Sequence, residues 1–390
     1  MSKTMLALNS GSSSIKFGLF SMAGAEPTYL FAGEVADIGD KPHFTIKDMD
    51  GRSVLDRGWP APRKQEDILD DILGWIDQNA WRGGLAAIGH RIVHGGSQFV
   101  APLRLNRKNL DELALLTPMA PLHQEVCLAP ARTLLSLRPD VMQVGCFDTA
   151  FHAVLEPPAS RFAIPRSYEE GGIRRYGFHG LSYEFIAGRL REISPVLAGK
   201  RTVVAHLGSG ASLCAMRDGR SIDTTMGFTP LDGVMMSTRC GTIDPGILLY
   251  LQRERGLSAQ ELEQILYHKS GLLGVSGISS DMRMLLSSSD PRAAEAIDLF
   301  TFEVAKAVCA MAVTLQGLDC LVFTGGIGEH AAKVRALVCN RLRWLGLELD
   351  PKANDGSVGL VSPSSSSVEI RVIPTSEETT IARHVLAMEG

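Results

Sequence analysis

Two short segments of this 390-residue chain, Leu8-Asn-Ser-Gly-Ser-Ser-Ser14 and Leu207-Gly-Ser-Gly-Ala-Ser-Leu213, share four of seven aligned positions. Each lies between two apolar runs of strand length, Met5 to Leu8 and Phe17 to Phe20 in one copy, Val203 to Leu207 and Ala211 to Met216 in the other. A strand, a Gly/Ser turn and a returning strand make a β-hairpin. The repeat predicts an internal duplication: two lobes, each opening with such a hairpin, and one cleft. The boundaries expected are 1–149, completed by a C-terminal helix at about 376–390, and 150–375.

The rest of the chain alternates short apolar strands with helical patterns, which predicts an α/β class. Ile68, Leu69, Ile72, Leu73 and Ile76 fall on one helical stripe. Leu85 to Ile88 and Val141 to Phe147 read as buried strands, the latter ending at Asp148. Ser258 and Glu261 predict a capping box for a helix reaching about Tyr267. A long amphipathic segment from about Pro291 to Gln316 precedes the strand Leu321 to Thr324, a turn Gly325 to Gly328, and a helix from His330 to Leu345. The strand Val368 to Ile373 and a last helix after Pro374 close the chain.

Composition excludes several classes. Hydrophobic residues at 45% and charged residues at 21% are those of a globular protein. A net charge of −4 supplies no basic face for nucleic acid, so an anionic ligand must be met by a few placed arginines. The seven cysteines, 127, 146, 214, 240, 309, 320 and 339, stand at least eleven residues apart. That spacing makes no Cys-x-x-Cys motif, and the odd count suits reduced, buried thiols. The first apolar run is too short for a signal-peptide core, and the best candidate membrane span is broken by Lys306 and Gln316. A cytoplasmic protein is expected.

Three Gly-rich turns could cradle phosphate: Ser10 to Ser14 with Lys16, Gly208 to Gly210, and Gly325 to Gly328 at a helix start. Such turns aim several backbone N–H groups one way and admit an anion without a Cβ collision. Three of them in one chain favour a nucleotide. Gly11 to Lys16 lacks the second Gly and the Ser/Thr of a P-loop. Gly326-Ile-Gly328-Glu-His-Ala331 does fit the dinucleotide pattern Gly-x-Gly-x-x-Ala after a strand, with Glu348 and Asp350 at a tolerable distance, so an NAD-binding oxidoreductase is a rival reading.

His90 and His94, four apart, lack the Glu of a zinc-protease motif and read as local hydrogen-bonding residues. Arg91 between them needs an anion nearby, either a ligand or a structural ion pair. Asp148 ends a strand, where acids often face a ligand crevice but also cap. His179 in Gly-Phe-His-Gly and Arg239 in Ser-Thr-Arg-Cys-Gly lie beside glycines and can serve a site or a turn.

Together these residues resemble the acetate kinase family from end to end. The matching segments are Asn9-Ser-Gly-Ser-Ser-Ser-Ile-Lys16, Gly89-His-Arg-Ile-Val-His-Gly-Gly96, Phe147-Asp-Thr-Ala-Phe-His152, Tyr176-Gly-Phe-His-Gly-Leu-Ser182, His206-Leu-Gly-Ser-Gly-Ala-Ser212, Asp223-Thr-Thr-Met-Gly-Phe-Thr-Pro230, Phe323-Thr-Gly-Gly-Ile-Gly-Glu329 and Pro374-Thr-Ser-Glu-Glu378. The resemblance implies the ribonuclease H-like fold shared by acetate and sugar kinases, actin and the heat-shock chaperone ATPase, with the ligands between two duplicated lobes, and a homodimer. It implies ATP or ADP as co-substrate and Mg²⁺, with Mn²⁺ an alternative.

By the same resemblance the nucleotide is held by Lys16, His206, Leu207, Gly208, Ser209, Gly210, Asp281, Met282, Arg283, Gly325, Gly326, Ile327, Gly328 and Glu329. Asn9 and Glu377 position the metal. Arg91, Asp148, His179 and Arg239 surround the phosphoryl group, and Arg91, Val93, Leu122, Phe178 and Pro230 receive the small carboxylate. The chain departs from commoner family wording at Ser209, Gln124 and His330, where Asn is more usual. The expected reaction is direct in-line transfer between ATP and acetate, with propionate as the near alternative. A chaperone-like ATPase of the same fold is the rival from another class.

Overall fold

The computed structural model describes residues 3–11, 14–79, 84–357 and 359–389. Contacts divide the chain into two compact units, Met1–Ala153 with Gly180–Phe185 and Ser376–Gly390, and Val154–His179 with Ile186–Thr375.

The first unit is built on β1 (Thr4–Ser10), β2 (Ile15–Ser21), β3 (Thr28–Ala36), β4 (His43–Asp48), β5 (Ser53–Gly58), β6 (Leu85–Ile92), β7 (Leu103–Arg104) and β8 (Met142–Phe147). Their order is β5-β4-β3-β2-β1-β6-β8-β7. The meander β1 to β5 is antiparallel, whereas β6 runs parallel to both β1 and β8. On one face the helix Gln65–Gln78 buries Ile68, Leu69, Ile72, Leu73 and Ile76 against Leu6, Leu8 and Ile88. This is the stripe read from the sequence. On the other, the helix Glu377–Glu389 sets Ile381 and Val385 against Met5, Ala7 and Ala87. Gly89 permits that approach, since a Cβ there would lie 2.3 Å from Ile381 Cγ2.

The second unit holds β9 (Thr202–Leu207), β10 (Ala211–Arg217), β11 (Arg220–Thr224), β12 (Cys320–Thr324), β13 (Gly359–Leu360) and β14 (Glu369–Val372), ordered β11-β10-β9-β12-β14-β13. Again three antiparallel strands, β9 to β11, are continued by parallel ones, β12 and β14. The central five strands therefore repeat one topology: β3-β2-β1-β6-β8 and β11-β10-β9-β12-β14. The duplicated Gly/Ser turns sit at the same place in each, between the first two strands of the antiparallel part. The helix Pro291–Leu315 packs on this sheet with Phe300, Val304 and Val308 among its buried residues; its start is fixed by Asp290, whose side chain accepts from Arg292 N, and by Pro291.

Two expectations change. Gly325 to Gly328 is the first part of a helix, Gly325–His330, rather than an open turn. The dinucleotide pattern at Gly326 loses its support, because the sheet behind it has an antiparallel half, unlike the mostly parallel sheet that motif requires. Ser258 and Glu261 do form a capping box on the helix Ala259–His268. All seven cysteines are free. Among the described residues no helix is long and apolar enough to cross a membrane.

Candidate active-site residues

In the first unit, β1, β6 and β8 run parallel or adjacent and finish together, so their carboxyl ends place Asn9, Arg91 and Asp148 side by side. Arg91 donates from Nε and Nη2 to Asp148 Oδ2 at 3.0 and 2.6 Å, and from Nη1 to Asn9 Oδ1 at 2.9 Å. Asn9 Nδ2 in turn donates to Glu377 Oε2 at 2.8 Å, and that oxygen lies 3.7 Å from Arg91 Nε. The C-terminal helix thus delivers Glu377 to residues some 280 to 370 positions earlier in sequence, as the Gly89 contact allows.

Burial opposes the Arg91 charge, but Asp148 and Glu377 outweigh it and raise its pKa well above the usual arginine value. Asp148 is buried and its carboxylate is engaged by this guanidinium. The neighbouring Glu378 is pushed up first by its own burial and then by Glu377.

These oxygens suit a hard divalent cation. Mg²⁺ keeps several waters and is commonly bound by one or two carboxylates together with substrate phosphates. Asn9 and Glu377 offer that kind of partial shell, and among the described residues no group of three or more His, Cys, Asp or Glu side chains could hold a metal. The metal expected here would need phosphate oxygens to complete its coordination.

The same strand ends fix two histidines. Buried His90 bonds Gln143 Oε1 through Nε2 at 2.6 Å, and burial lowers its pKa to about 4. His94 lies beyond β6, where its Nδ1 accepts from Gly96 N at 2.8 Å. Val93 is buried beside them, and Leu122 is half-buried ahead of the helix Gln124–Leu137.

In the second unit the carboxyl ends of β9 and β12 carry the turn Gly208 to Gly210 and the glycine-rich helix start at Gly325. They adjoin closely: a Cβ on Gly208 would lie 4.0 Å from Gly326 N, and one on Gly325 would lie 2.8 Å from Leu207 O. Gly325 adopts φ +76°. Beside the turns is a cavity of about 690 Å³ lined by Gly208, Ser209, Arg239, Asp281, Met282, Arg283, Gly326, Ile327 and His330. Ser237, Thr238 and Ala331, from the motif segments, also line it, as do Ser280 and Leu286, which nothing in their local patterns had marked. Asp281 caps the helix Met282–Ser287 and pairs with Arg283, which lowers its pKa.

Arg239 reaches from this cavity to a polar cluster. Its Nη1 donates to Pro230 O at 3.1 Å and would lie 3.8 Å from a Cβ on Gly210, while His179 Nε2 would be 3.1 Å from the same Cβ. His179 bonds Ser212 Oγ through Nδ1 at 2.8 Å and stacks on His206, ring centroids 4.3 Å apart. It holds φ +59°, a left-handed conformation uncommon outside glycine and often found at functional sites. Phe178 beside it is buried.

Three expected nucleotide residues behave differently. Lys16 lies on β2 of the first unit, 3.9 Å from Glu34, and lines a separate cavity of about 230 Å³ with Tyr29, Lys47 and Glu378. Its turn cannot be followed completely, since Ser12 and Ser13 lie outside the described residues. Leu207 is buried under the turn. Glu329 folds back on its own segment, where Oε1 accepts from Gly325 N at 2.9 Å and Thr375 N at 3.1 Å, so its carboxylate fastens the turn.

Behind that segment lies a residue the sequence reading passed over. Arg335 is fully buried and donates to the carbonyls of Gly328, Glu329 and Asn354, to Asn354 Oδ1 and to Ser357 Oγ. In a run such as Ala-Ala-Lys-Val-Arg it looks like a surface charge.

Known proteins resemble this chain along its whole length. The model of the acetokinase family matches residues 4–383. An acetate kinase from Rhodopseudomonas palustris (strain TIE-1) is 49% identical, the match covering 99% of this chain and 98% of that protein. One from Rhizobium meliloti is 44% identical over 98% of both. Among solved structures, a propionate kinase from Francisella tularensis superposes with a TM-score of 0.90 at 35% identity over 98% of both chains. The acetate kinase of Porphyromonas gingivalis gives 0.86 at 34% identity over the whole of both.

Proposed function

Because the chain belongs to the acetokinase family, we propose that it transfers the γ-phosphoryl group of ATP to acetate, reversibly, to give acetyl phosphate and ADP. The observation that carries this reading is the cavity beside Gly208 and Gly326, of nucleotide size and walled by Arg239.

The acceptor needs no general base. A carboxylic acid with a pKa near about 4 is ionised at neutral pH, so its oxygen can attack phosphorus directly. The obstacle is repulsion between two anions, and the remedy is fixed positive charge aimed at the transferring group. In our reading Arg91 and Arg239 supply it, while Asp148 and Asn9 hold the Arg91 fork and Ser212 and His206 orient His179 as a further donor. When bound, Mg²⁺ lowers the charge repulsion at the phosphate oxygens; Asn9 and Glu377 are the residues that would hold it. Gly208 to Gly210, Asp281 to Arg283 and Gly325 to Ile327 receive the nucleotide. In this reading the transfer is direct and in line, because the ionised carboxylate is itself the nucleophile and ADP the leaving group.

Val93, Leu122, Phe178 and Pro230 are assigned to the methyl end of the acid. A single methylene in an apolar pocket changes binding by about 1 to 3 kcal/mol, so propionate is the second substrate to test, and the Francisella propionate kinase favours including it. We place the enzyme in the cytoplasm as a homodimer. The helix Pro245–Arg255 supports the dimer: none of its residues is buried, and Ile247, Leu249 and Tyr250 are left exposed. Light scattering of the wild type and of Tyr250→Glu tests it, with a monomeric wild type overturning the dimer.

The activity is tested by measuring acyl phosphate formed from MgATP with acetate, propionate and butyrate in parallel. Acetate should give the highest kcat/KM. Nucleotide consumption that ignores all three acids would instead favour the chaperone-like ATPase.

A further inference from the structure

Gln124 opens the helix Gln124–Leu137 of the first unit, and its side chain is fully buried. A primary amide removed from water is costly unless its donors and acceptor are paired. Here Oε1 accepts from His94 N at 3.0 Å, and Nε2 donates to His94 O at 3.0 Å and to Leu113 O at 3.1 Å. One amide therefore pairs with both backbone groups of a single residue, as an adjoining strand would.

The location gives that pairing its meaning. The β6 to β8 ladder ends with Ile92 opposite Phe147, and Asp148 N adds a last bond to Ile92 O. His94 lies past that point. The segment beyond is secured by Gly95 N donating to Thr149 Oγ1 at 3.0 Å and by Gly96 N donating to His94 Nδ1. Gly95 packs too closely for any side chain, since a Cβ there would meet Phe99 O at 2.1 Å. Upstream, within three residues, are Val93 and Arg91.

We infer that Gln124 is a positioning residue for the carboxylate substrate, holding the main chain at His94 so that Val93 and Arg91 keep their places. The inference rests on the assignment of those two residues to the carboxylate. The side-chain length matters: asparagine is one methylene shorter and cannot bridge His94 and Leu113 together.

The test begins with the wild type, whose formation of acyl phosphate from acetate checks the assignment itself. In Gln124→Asn, KM for acetate should rise about tenfold while KM for MgATP stays within about twofold, and the propionate-to-acetate ratio of kcat/KM should change. A structural role alone would lower the active fraction and leave both KM values in place. Thr149→Val, which removes the acceptor of Gly95 N, should shift acetate KM in the same direction and decides the matter if Gln124→Asn does not fold. An active wild type whose folded variants keep the wild-type acetate KM, or raise both KM values equally, overturns the inference but not the activity.

Discussion

Arg91 holds Asp148 through two guanidinium nitrogens, Nε and Nη2, at 3.0 and 2.6 Å from one carboxylate oxygen. The pair is unequal in setting: the Asp148 side chain is 1% exposed and that of Arg91 19%. The acid is thus the more deeply buried member of the ion pair, and the arginine the more accessible one.

Arg91→Ala should consequently fail in two measurable ways. Acyl phosphate formation should fall by about 10³-fold or more, the scale of an arginine on a phosphoryl transition state. Urea denaturation should show a loss of about 3 to 5 kcal/mol, the scale for breaking a buried ion pair by removing one member. Arg91→Lys restores charge but not the fork, and should recover stability better than rate. Wild-type kcat/KM in Arg91→Ala would remove this residue from the reaction.

His90 predicts a pH dependence of stability. Its pKa is lowered from 6.5 to about 4 by burial, so it stays neutral in the native state over a range in which the unfolded chain takes up a proton. The unfolded state binds more protons between those values, so stability is complete above pH 6.5 and declines as pH falls toward about 4. The contribution lost between pH 7 and pH 5 is about 2 kcal/mol. His90→Asn should show a correspondingly shallower decline in urea melts at the two pH values; an unchanged slope would contradict it.

The parts legible in the sequence are those that depend on period and on short-range chemistry. The stripe Ile68 to Ile76 forms a helix with its predicted face buried, and the two hairpins appear where the apolar runs flank Gly and Ser. The strands β3, β4 and β5 were not legible. They continue the antiparallel part of their sheet toward its edge, and each has two buried residues at most, so no strict alternation of buried and exposed positions marks them. Of the candidate site, the motif residues were found through resemblance, yet their partnerships were not: the Asn9 to Glu377 bond spans almost the whole chain. Gln124 and Arg335 were missed as anchors because their acceptors are mostly backbone carbonyls, which any sequence supplies.

Arg335 extends that point to an experiment. Arg335→Met would keep much of the volume but remove the arginine donor from the carbonyls of Gly328 and Glu329 and from Asn354 Oδ1. Each buried unsatisfied group costs about 1 to 3 kcal/mol, so a total loss of about 3 kcal/mol or more is expected in denaturant titrations. The segment it releases lines the cavity, so KM for MgATP should rise while KM for acetate does not. Equal effects on the two substrates would exclude a local action on the nucleotide segment.

Gly325 and Gly326, adjacent in the chain, should separate folding from binding. A Cβ on Gly325 would lie 2.8 Å from Leu207 O and 3.0 Å from its carbonyl carbon, at φ +76°. Gly325→Ala must therefore push the helix start away from β9, in addition to about 1 to 2 kcal/mol for the left-handed backbone. A lower melting temperature is expected even without ligand. At Gly326 the added carbon meets nothing within 4 Å, and the residue lines the cavity. Gly326→Ala should melt like the wild type yet bind MgATP about tenfold more weakly, because the methyl group occupies space a phosphate would approach. Calorimetric titration with nucleotide beside ligand-free melting distinguishes the two, and a Gly326→Ala protein with wild-type nucleotide affinity would dissociate that turn from phosphate recognition.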